Sequence, residues 1–129
     1  MNNSPNNNAE PLKDRLNRIG DGDTAFIEQL IVIFSKNAQK AQEGLNAISP
    51  PKSVFEKQQI AHKLKSNFQL FEYVEAATLA SKIENSNSQE EMLPFIEKIN
   101  IILASILNEI NEVKFKSNLK KLQFRLKTS

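Results

Sequence analysis

His62 is the single histidine of the 129-residue chain, and Lys65 follows it three positions later. A neutral imidazole can take up a proton or a phosphoryl group near neutral pH without special activation. Residues three positions apart on a helix are neighbours, so the lysine ammonium would lie near any group bound to the imidazole. The pair is therefore a minimal site for nucleophilic or proton-transfer chemistry. The alternative is an ordinary surface histidine, and spacing alone does not exclude it.

The composition excludes several other kinds of site. The chain has no cysteine, which rules out disulfides, thiolate catalysis and cysteine-ligated zinc, and one histidine is too few for a histidine-rich metal site. Its three glycines form neither a GxxxxGK[ST] nor a GxGxxG pattern, so nucleotide binding through such a loop is not expected. The first residues do not resemble a signal peptide, and no apolar run approaches about 18 residues. We expect a cytoplasmic protein without a transmembrane segment, metal or other cofactor.

The spacing of apolar residues and the helix-capping residues predict five helices and no strands. The predicted ranges are 11–19, 24–48, 53–71, 73–85, and a last helix that continues past 113 to about 126. Because Pro94 would clash with a helix starting at 88, we expect a distorted first turn there or a start near 92. The expected fold is all-α, an antiparallel up-down four-helix bundle with a short extra N-terminal helix and an extended last helix. The apolar stripes of these helices are assigned to its core.

The chain is divided into three parts on composition. Residues 1–9 are rich in asparagine and are expected to be disordered, residues 10–113 form the bundle, and residues 114–129 form a basic amphipathic extension. On the third predicted helix, His62 is expected in mid-helix and exposed, so that its imidazole is largely neutral. It lies on a polar strip that contains no acid, and hydrolytic catalysis is therefore not supported. The other polar residues of this strip are Gln58, Gln59, Lys65, Ser66 and Gln69.

Residues 61–66 read Ala61-His62-Lys63-Leu64-Lys65-Ser66, in the middle of the third of five predicted helices. This motif and its helical surroundings, over about residues 12–112, resemble the histidine-containing phosphotransfer (HPt) domain family. The family motif is an alanine, the phospho-accepting histidine, a variable residue, an aliphatic residue, a lysine and usually a glycine. Residues 22–30 resemble the family's first bundle helix, and residues 76–84 resemble its third, which typically closes on an aliphatic–glutamate pair. Ser66 stands where the family usually has glycine, and Glu72 stands where a glycine usually ends the helix.

The resemblance implies that His62 accepts a phosphoryl group from the aspartate of a receiver domain and donates it to another, while Lys65 stabilises the phosphoryl charge. It implies no kinase or hydrolase activity. The implied partners are receiver domains of hybrid sensor kinases and response regulators, which supply Mg²⁺, and the chain itself is expected to be a monomer. The alternative is a non-transferring helical adaptor that docks a receiver domain or other partner through the bundle and the basic extension. The residues expected to bind the partner are Gln58, Gln59, Lys63, Ser66 and Gln69.

The basic extension carries six lysine or arginine residues and no acid, a charge of +6, whereas residues 1–113 hold 11 basic and 15 acidic side chains, a charge of −4. Phe115, Leu119, Leu122 and Leu126 recur within it at helical spacing. It is interpreted as a helix overhang kept soluble by its lysines, as a docking surface for an acidic partner, or as a contact with a membrane surface. Nucleic acid is not expected as a partner, because only two aromatic residues accompany the charge.

Overall fold

The computed structural model describes residues 10–48 and 50–128, with the backbone alone described at 115–122 and 124–128. These residues form five α-helices, and the described part of the chain contains no β-strand apart from an isolated bridge between Ile48 and Pro51. The predicted all-helical fold class is confirmed. The expected disorder of residues 1–9 lies outside the described residues. The helices are α1 (Leu12–Ile19), α2 (Thr24–Leu45), α3 (Val54–Leu70), α4 (Val74–Glu84) and α5 (Gln89–Thr128).

Side-chain caps begin α2 and α3 where the sequence indicated. The Asp23 carboxylate accepts a hydrogen bond from the Phe26 amide at 3.1 Å, at the start of α2. Ser53 and Glu56 form a complete capping box at the start of α3, in which each side chain accepts from the other residue's backbone amide. Such caps satisfy amide groups that have no partner within the helix, and each typically contributes about 1 kcal/mol.

One predicted helix boundary is wrong, and one of the two alternatives given for another is confirmed. Helix α2 ends at Leu45, before residue 48, and Asn46 follows it, donating to the Gln42 carbonyl from its side-chain amide at 2.7 Å and from its backbone amide at 3.1 Å. Helix α5 begins at Gln89, which agrees with the expected start at 88 and not with the alternative near 92; the Ser88 hydroxyl accepts from the Glu91 amide at 3.1 Å and caps the helix. The helix continues through Pro94 and, as expected, past residue 113.

The helices pack around one hydrophobic core. Helix α3 packs against α4 and α2, α5 packs against α4 and α2, and α1 contacts α5. Edge-on aromatic contacts join the helices, such as that between Phe34 of α2 and Phe71 at the end of α3, whose ring centroids are 4.7 Å apart. Burying one large apolar side chain stabilises the fold by about 1.5–3 kcal/mol. The apolar side chains with no exposed surface are Ala61, Phe68, Ala76, Ala80, Ile83, Met92, Ile99 and Leu103.

Arg15 of α1 fixes the turn between α3 and α4. Its side chain is completely buried, and Nη1 donates to the carbonyl oxygens of Phe71 at 3.0 Å and of Glu72 at 2.9 Å. The guanidinium carbon also lies 4.1 Å from the centre of the Tyr73 ring, a cation–π contact. Because Glu72 has a left-handed backbone with φ of 61°, the turn uses a conformation that is unfavourable for a non-glycine residue. Arg15 therefore satisfies two carbonyls of a strained turn.

Several apolar residues assigned to the core are exposed instead. Phe26 and Ile33 lie on the edge of α2, roughly 40–60° beyond the buried side of the helix, and are 44% and 51% exposed. Ile48 is exposed because α2 ends before it. Phe55 of α3, 66% exposed, and Val74 at the start of α4, 61% exposed, also lie outside the core. The apolar stripes are thus broader than the face that the other helices cover.

Candidate functional site

Helix α3 holds His62 at its middle, eight residues after Val54 and eight before Leu70. The preceding Ala61 is fully buried and Leu64 is 1% exposed, so the helix is anchored on the side that faces α4 and α2. The His62 side chain itself is 58% exposed. The histidine is therefore held on a rigid element with its ring accessible to a second molecule, as the sequence predicted.

Glu84, the last residue of α4, joins the two residues of the predicted site. One carboxylate oxygen lies 2.6 Å from Nδ1 of His62, and the other accepts a hydrogen bond from the Lys65 ammonium at 2.7 Å. The polar strip of α3 around His62 itself contains no acid, as expected. In the folded chain, however, the expectation of a site without an acid is wrong, because α4 packs against α3 and brings Glu84 to the strip. The buried Ile83 beside it anchors this end of α4.

The charge state of Glu84 determines which ring nitrogen of His62 carries the proton. The hydrogen bond from Lys65, and to a lesser extent that from His62, lowers the pKa of the Glu84 carboxyl below its usual value, outweighing the opposing effect of burial. An ionised carboxylate only accepts hydrogen bonds, so Nδ1 of His62 must carry the proton that the contact requires. In the neutral ring the lone pair is then on Nε2. The arrangement thus leaves Nε2 as the nucleophilic nitrogen.

The remaining predicted residues of α3 differ in their surroundings. Gln58 is half-buried and donates to the Ser86 carbonyl at 2.9 Å, so its side chain ties α3 to the α4–α5 connection and is not simply solvated. The Ser66 hydroxyl donates to the His62 carbonyl at 3.4 Å, one turn back along the helix. Gln59, Lys63 and Gln69 are exposed. Gln58 is therefore the member of the predicted partner-binding set with the clearest structural role.

Two features of this region were not assigned to the site from the sequence. Glu84 could have been linked to the site through the aliphatic–glutamate pair that closes the fourth helix. Phe55, assigned to the core, lies seven residues before His62 and therefore on the same side of α3, roughly 10 Å away along the helix axis. The exposed surface around the histidine thus includes a large aromatic ring.

An open groove of about 920 Å³ lies beside the site, along the outer side of α4. Lys65 and Gln69 of α3 lie on one border, and Lys82 of α4 and Phe95 of α5 lie on the other, with the Lys82 ammonium 5.6 Å from the centre of the Phe95 ring. The candidate site therefore borders a surface with room for part of a partner.

No group of three or more potential metal ligands occurs in the part of the chain that the structure describes. Within that same part, none of the helices is both long enough and apolar enough to cross a membrane. Comparison of the chain with protein-family models, with curated proteins and with solved structures found no match. The geometry of His62, Lys65 and Glu84 is therefore the basis for a functional assignment.

Proposed function

We propose that this chain is a histidine phosphotransfer protein of a multistep phosphorelay. In this proposal His62 accepts a phosphoryl group from the aspartate of a receiver domain and passes it to the aspartate of another. The observation that carries the proposal is the contact of an exposed imidazole with Glu84, which occupies Nδ1 and leaves the lone pair on Nε2. The same carboxylate holds Lys65 beside the ring.

We further propose that α2 to α5 form an antiparallel up-down four-helix bundle, with α1 as an additional helix. Two observations support this topology. Helices that follow each other along the chain pack together, as α2 with α3, α3 with α4 and α4 with α5, and α2 also packs against α5. The connections between them are short, of 3 residues between α3 and α4 and of 4 between α4 and α5. Short connections join antiparallel neighbours in helical bundles.

The proposed transfer step needs no proton to leave the ring. The Nε2 lone pair attacks the phosphorus of the aspartyl phosphate, the N–P bond forms, and the P–O bond to the aspartate breaks as that carboxylate leaves. The imidazole keeps its Nδ1 proton and becomes positively charged. The Glu84 carboxylate, at 2.6 Å from Nδ1, stabilises this charge. The reverse sequence of events passes the phosphoryl group to the second receiver.

Lys65 supplies the positive charge for the phosphoryl oxygens in this proposal. Its side chain is 24% exposed, and its position one helical turn after His62 places the ammonium on the same side of α3. Phosphoryl transfer depends mainly on positioning and on charge stabilisation, so one nucleophile and one cation suffice on this side of the complex. The receiver domain supplies the acidic residues and Mg²⁺, and the chain acts as a cytoplasmic, monomeric carrier without kinase or hydrolase activity.

Receiver docking is proposed to use the exposed surface around His62. Phe55 provides an apolar contact on that side of α3, and Gln59, Lys63, Ser66 and Gln69 provide polar ones. Gln58 is proposed to contribute less, because its amide already donates to Ser86. Exposed aromatic residues are frequent anchors of protein interfaces, so Phe55 is expected to contribute more to affinity than its polar neighbours.

Incubation with a phosphorylated receiver domain tests the proposal. We expect an acid-labile, alkali-stable phosphoryl group on the wild-type chain, and none on His62→Gln, while Lys98→Gln, at an exposed position of α5, still takes up label. Circular dichroism shows whether each variant keeps its helices. Label on His62→Gln would refute the assignment. Receiver binding without label on the wild type would instead support the non-transferring adaptor.

A further inference from the structure

The C-terminal part of α5 carries an apolar stripe that cannot belong to the bundle core. The residues of α5 that are buried in the core follow a regular spacing of three and four: Met92, Ile96, Ile99, Leu103, Ile106 and Ile110. Continuing this spacing along α5 leads to Val113, Ser117, Lys120, Phe124 and Lys127, of which three are polar. The core face of the helix therefore loses its apolar character after Val113, although the helix continues to Thr128.

A second apolar stripe begins two residues later on the other side of the same helix. It consists of Phe115, Leu119, Leu122 and Leu126, which follow one another by four, three and four residues. Each residue advances about 100° around an α-helix, so the centre of this stripe lies roughly 150° away from the centre of the core face. Because the two stripes lie on opposite sides of one continuous helix, the second cannot pack into the core that the first completes.

Basic residues border this second stripe on both sides. At about 90–130° around the helix from the centre of the stripe, one side holds Arg125, Lys114 and Lys121. At the same angles on the other side lie Lys116, Lys127 and Lys120. The segment contains no acidic residue. A narrow apolar stripe between two rows of lysine and arginine is the pattern of a helix that lies in the surface of an anionic bilayer, where the long basic side chains reach the headgroups.

We propose that residues 114–128 bind the surface of a membrane that contains anionic lipids. The apolar stripe enters the boundary between headgroups and acyl chains, and the two basic rows contact the lipid phosphates and carboxylates. A charge of +6 over this segment attracts such a surface, whereas residues 1–113, with a charge of −4, do not. The helix lies along the surface and does not cross it, since none of the described helices is apolar enough to span a membrane. This proposal stands independently of the phosphotransfer function.

Cosedimentation of the full chain with vesicles tests this proposal. The probes are vesicles of phosphatidylcholine alone and vesicles of phosphatidylcholine mixed with phosphatidylserine. We expect binding to the mixed vesicles, weaker binding as salt is raised, and little binding to phosphatidylcholine alone. Equal binding to both kinds of vesicle, or none to either, would overturn the proposal.

Matched variants test whether vesicle binding depends on the basic rows beside the stripe or only on the net charge of the chain. Lys116→Gln combined with Arg125→Gln, the two basic residues nearest the stripe on either side, is expected to weaken binding about thirty-fold, at about five-fold per basic residue. The control pair Lys36→Gln and Lys40→Gln, two exposed lysines of α2, removes the same charge from the bundle and should leave binding nearly unchanged. Equal losses in the two pairs would show that net charge alone is responsible and would contradict the proposal.

A second pair of variants tests the stripe itself. Leu122→Gln is expected to weaken binding about ten-fold, because it removes one apolar side chain from the lipid contact. Phe124→Gln removes an apolar residue of the same segment that lies outside the stripe, and its effect should be much smaller. Similar losses in both variants would contradict the proposed orientation. A dimer of the wild-type chain that dissociates on Leu122→Gln, without vesicle binding, would assign the stripe to a second copy of the chain instead.

Discussion

At the scale of single residues, the candidate site is a hydrogen-bonded group of three side chains from two helices. His62 and Lys65 lie on α3, and Glu84 at the end of α4 contacts both. A carboxylate that accepts the Nδ1 proton of an imidazole selects the tautomer whose Nε2 carries the lone pair. Glu84 is thus a positioning residue, because in the proposed reaction it acts on the phosphoryl group only through His62.

Replacement of Glu84 by glutamine tests this role. We expect Glu84→Gln to slow phosphoryl transfer to His62 by about 10- to 100-fold, the range found when the hydrogen-bond partner that orients a metal-binding histidine is removed. Nitrogen NMR of ¹⁵N-labelled histidine should also show a lower fraction of the Nδ1-protonated tautomer. Glu97→Gln removes a carboxylate from an exposed position on α5 and serves as the control. An unchanged tautomer with a slower transfer would assign Glu84 a different role.

The pH dependence of stability provides a second test of the same residue. The pKa of Glu84 is held below its ordinary value of 4.5, chiefly by the hydrogen bond from Lys65. A carboxyl whose pKa is lower in the folded state stabilises the fold above its unfolded pKa, and this stabilisation is lost as pH falls through the folded value. Wild type should therefore be more stable than Glu84→Gln at pH 7, and urea denaturation should show this difference shrinking below about pH 4.5. A constant difference down to strongly acid pH would contradict the ion pair.

At the scale of elements, the turn between α3 and α4 sets the geometry of the site, because it fixes α4 and hence Glu84 against α3. The chain reverses there at Glu72, whose φ is 61°. The amide of Tyr73 donates to the Phe68 carbonyl at 2.8 Å. This hydrogen bond is typical of a helix ending in which the residue at the position of Glu72 is usually glycine. Two arginines of α1 bind this turn. Arg15 donates to the carbonyl oxygens of the turn, and Arg18 donates to the Glu72 carboxylate at 2.7 Å.

The strain at Glu72 can be measured with two substitutions that both remove its ion pair with Arg18. Glu72→Gly relieves the left-handed backbone, whereas Glu72→Ala retains it. We expect the glycine variant to be more stable than the alanine variant by about 1 kcal/mol, from the preference of glycine for positive φ. Urea denaturation of the two proteins gives the difference. Equal stabilities, or a more stable alanine variant, would mean that the turn stores no such strain.

At the scale of the whole molecule, local sequence signals predicted the elements and long-range packing determined the site. Asp23 and Ser53 cap helices within three residues of themselves, and such contacts can be read directly from the sequence. Glu84 lies 22 residues from His62, and its contact depends on how α4 packs against α3. Arg15 gives no sign in the sequence of its complete burial, which requires carbonyl oxygens 56 and 57 residues away. Helical spacing predicts Phe55 in the core, but spacing alone does not show which part of an apolar stripe other helices cover.

Residues 114–128 of α5 show the same difference between what the sequence predicts and what only the structure shows. Its helical spacing and charge could be read from the sequence, but several interpretations of it were open. The continuity of α5 to Thr128 fixes the register between the core face and the second stripe and so places them on opposite sides of one helix. This register favours a surface contact over a simple overhang of the core.

In the proposed reaction, Nε2 of His62 carries the phosphoryl group. The most direct measurement is phosphorus and nitrogen NMR of the full chain, labelled with ¹⁵N at its single histidine and phosphorylated by a receiver domain. We expect a phosphorus–nitrogen coupling to Nε2, with Nδ1 still protonated. A phosphoryl group on Nδ1, on another residue, or on none would contradict it.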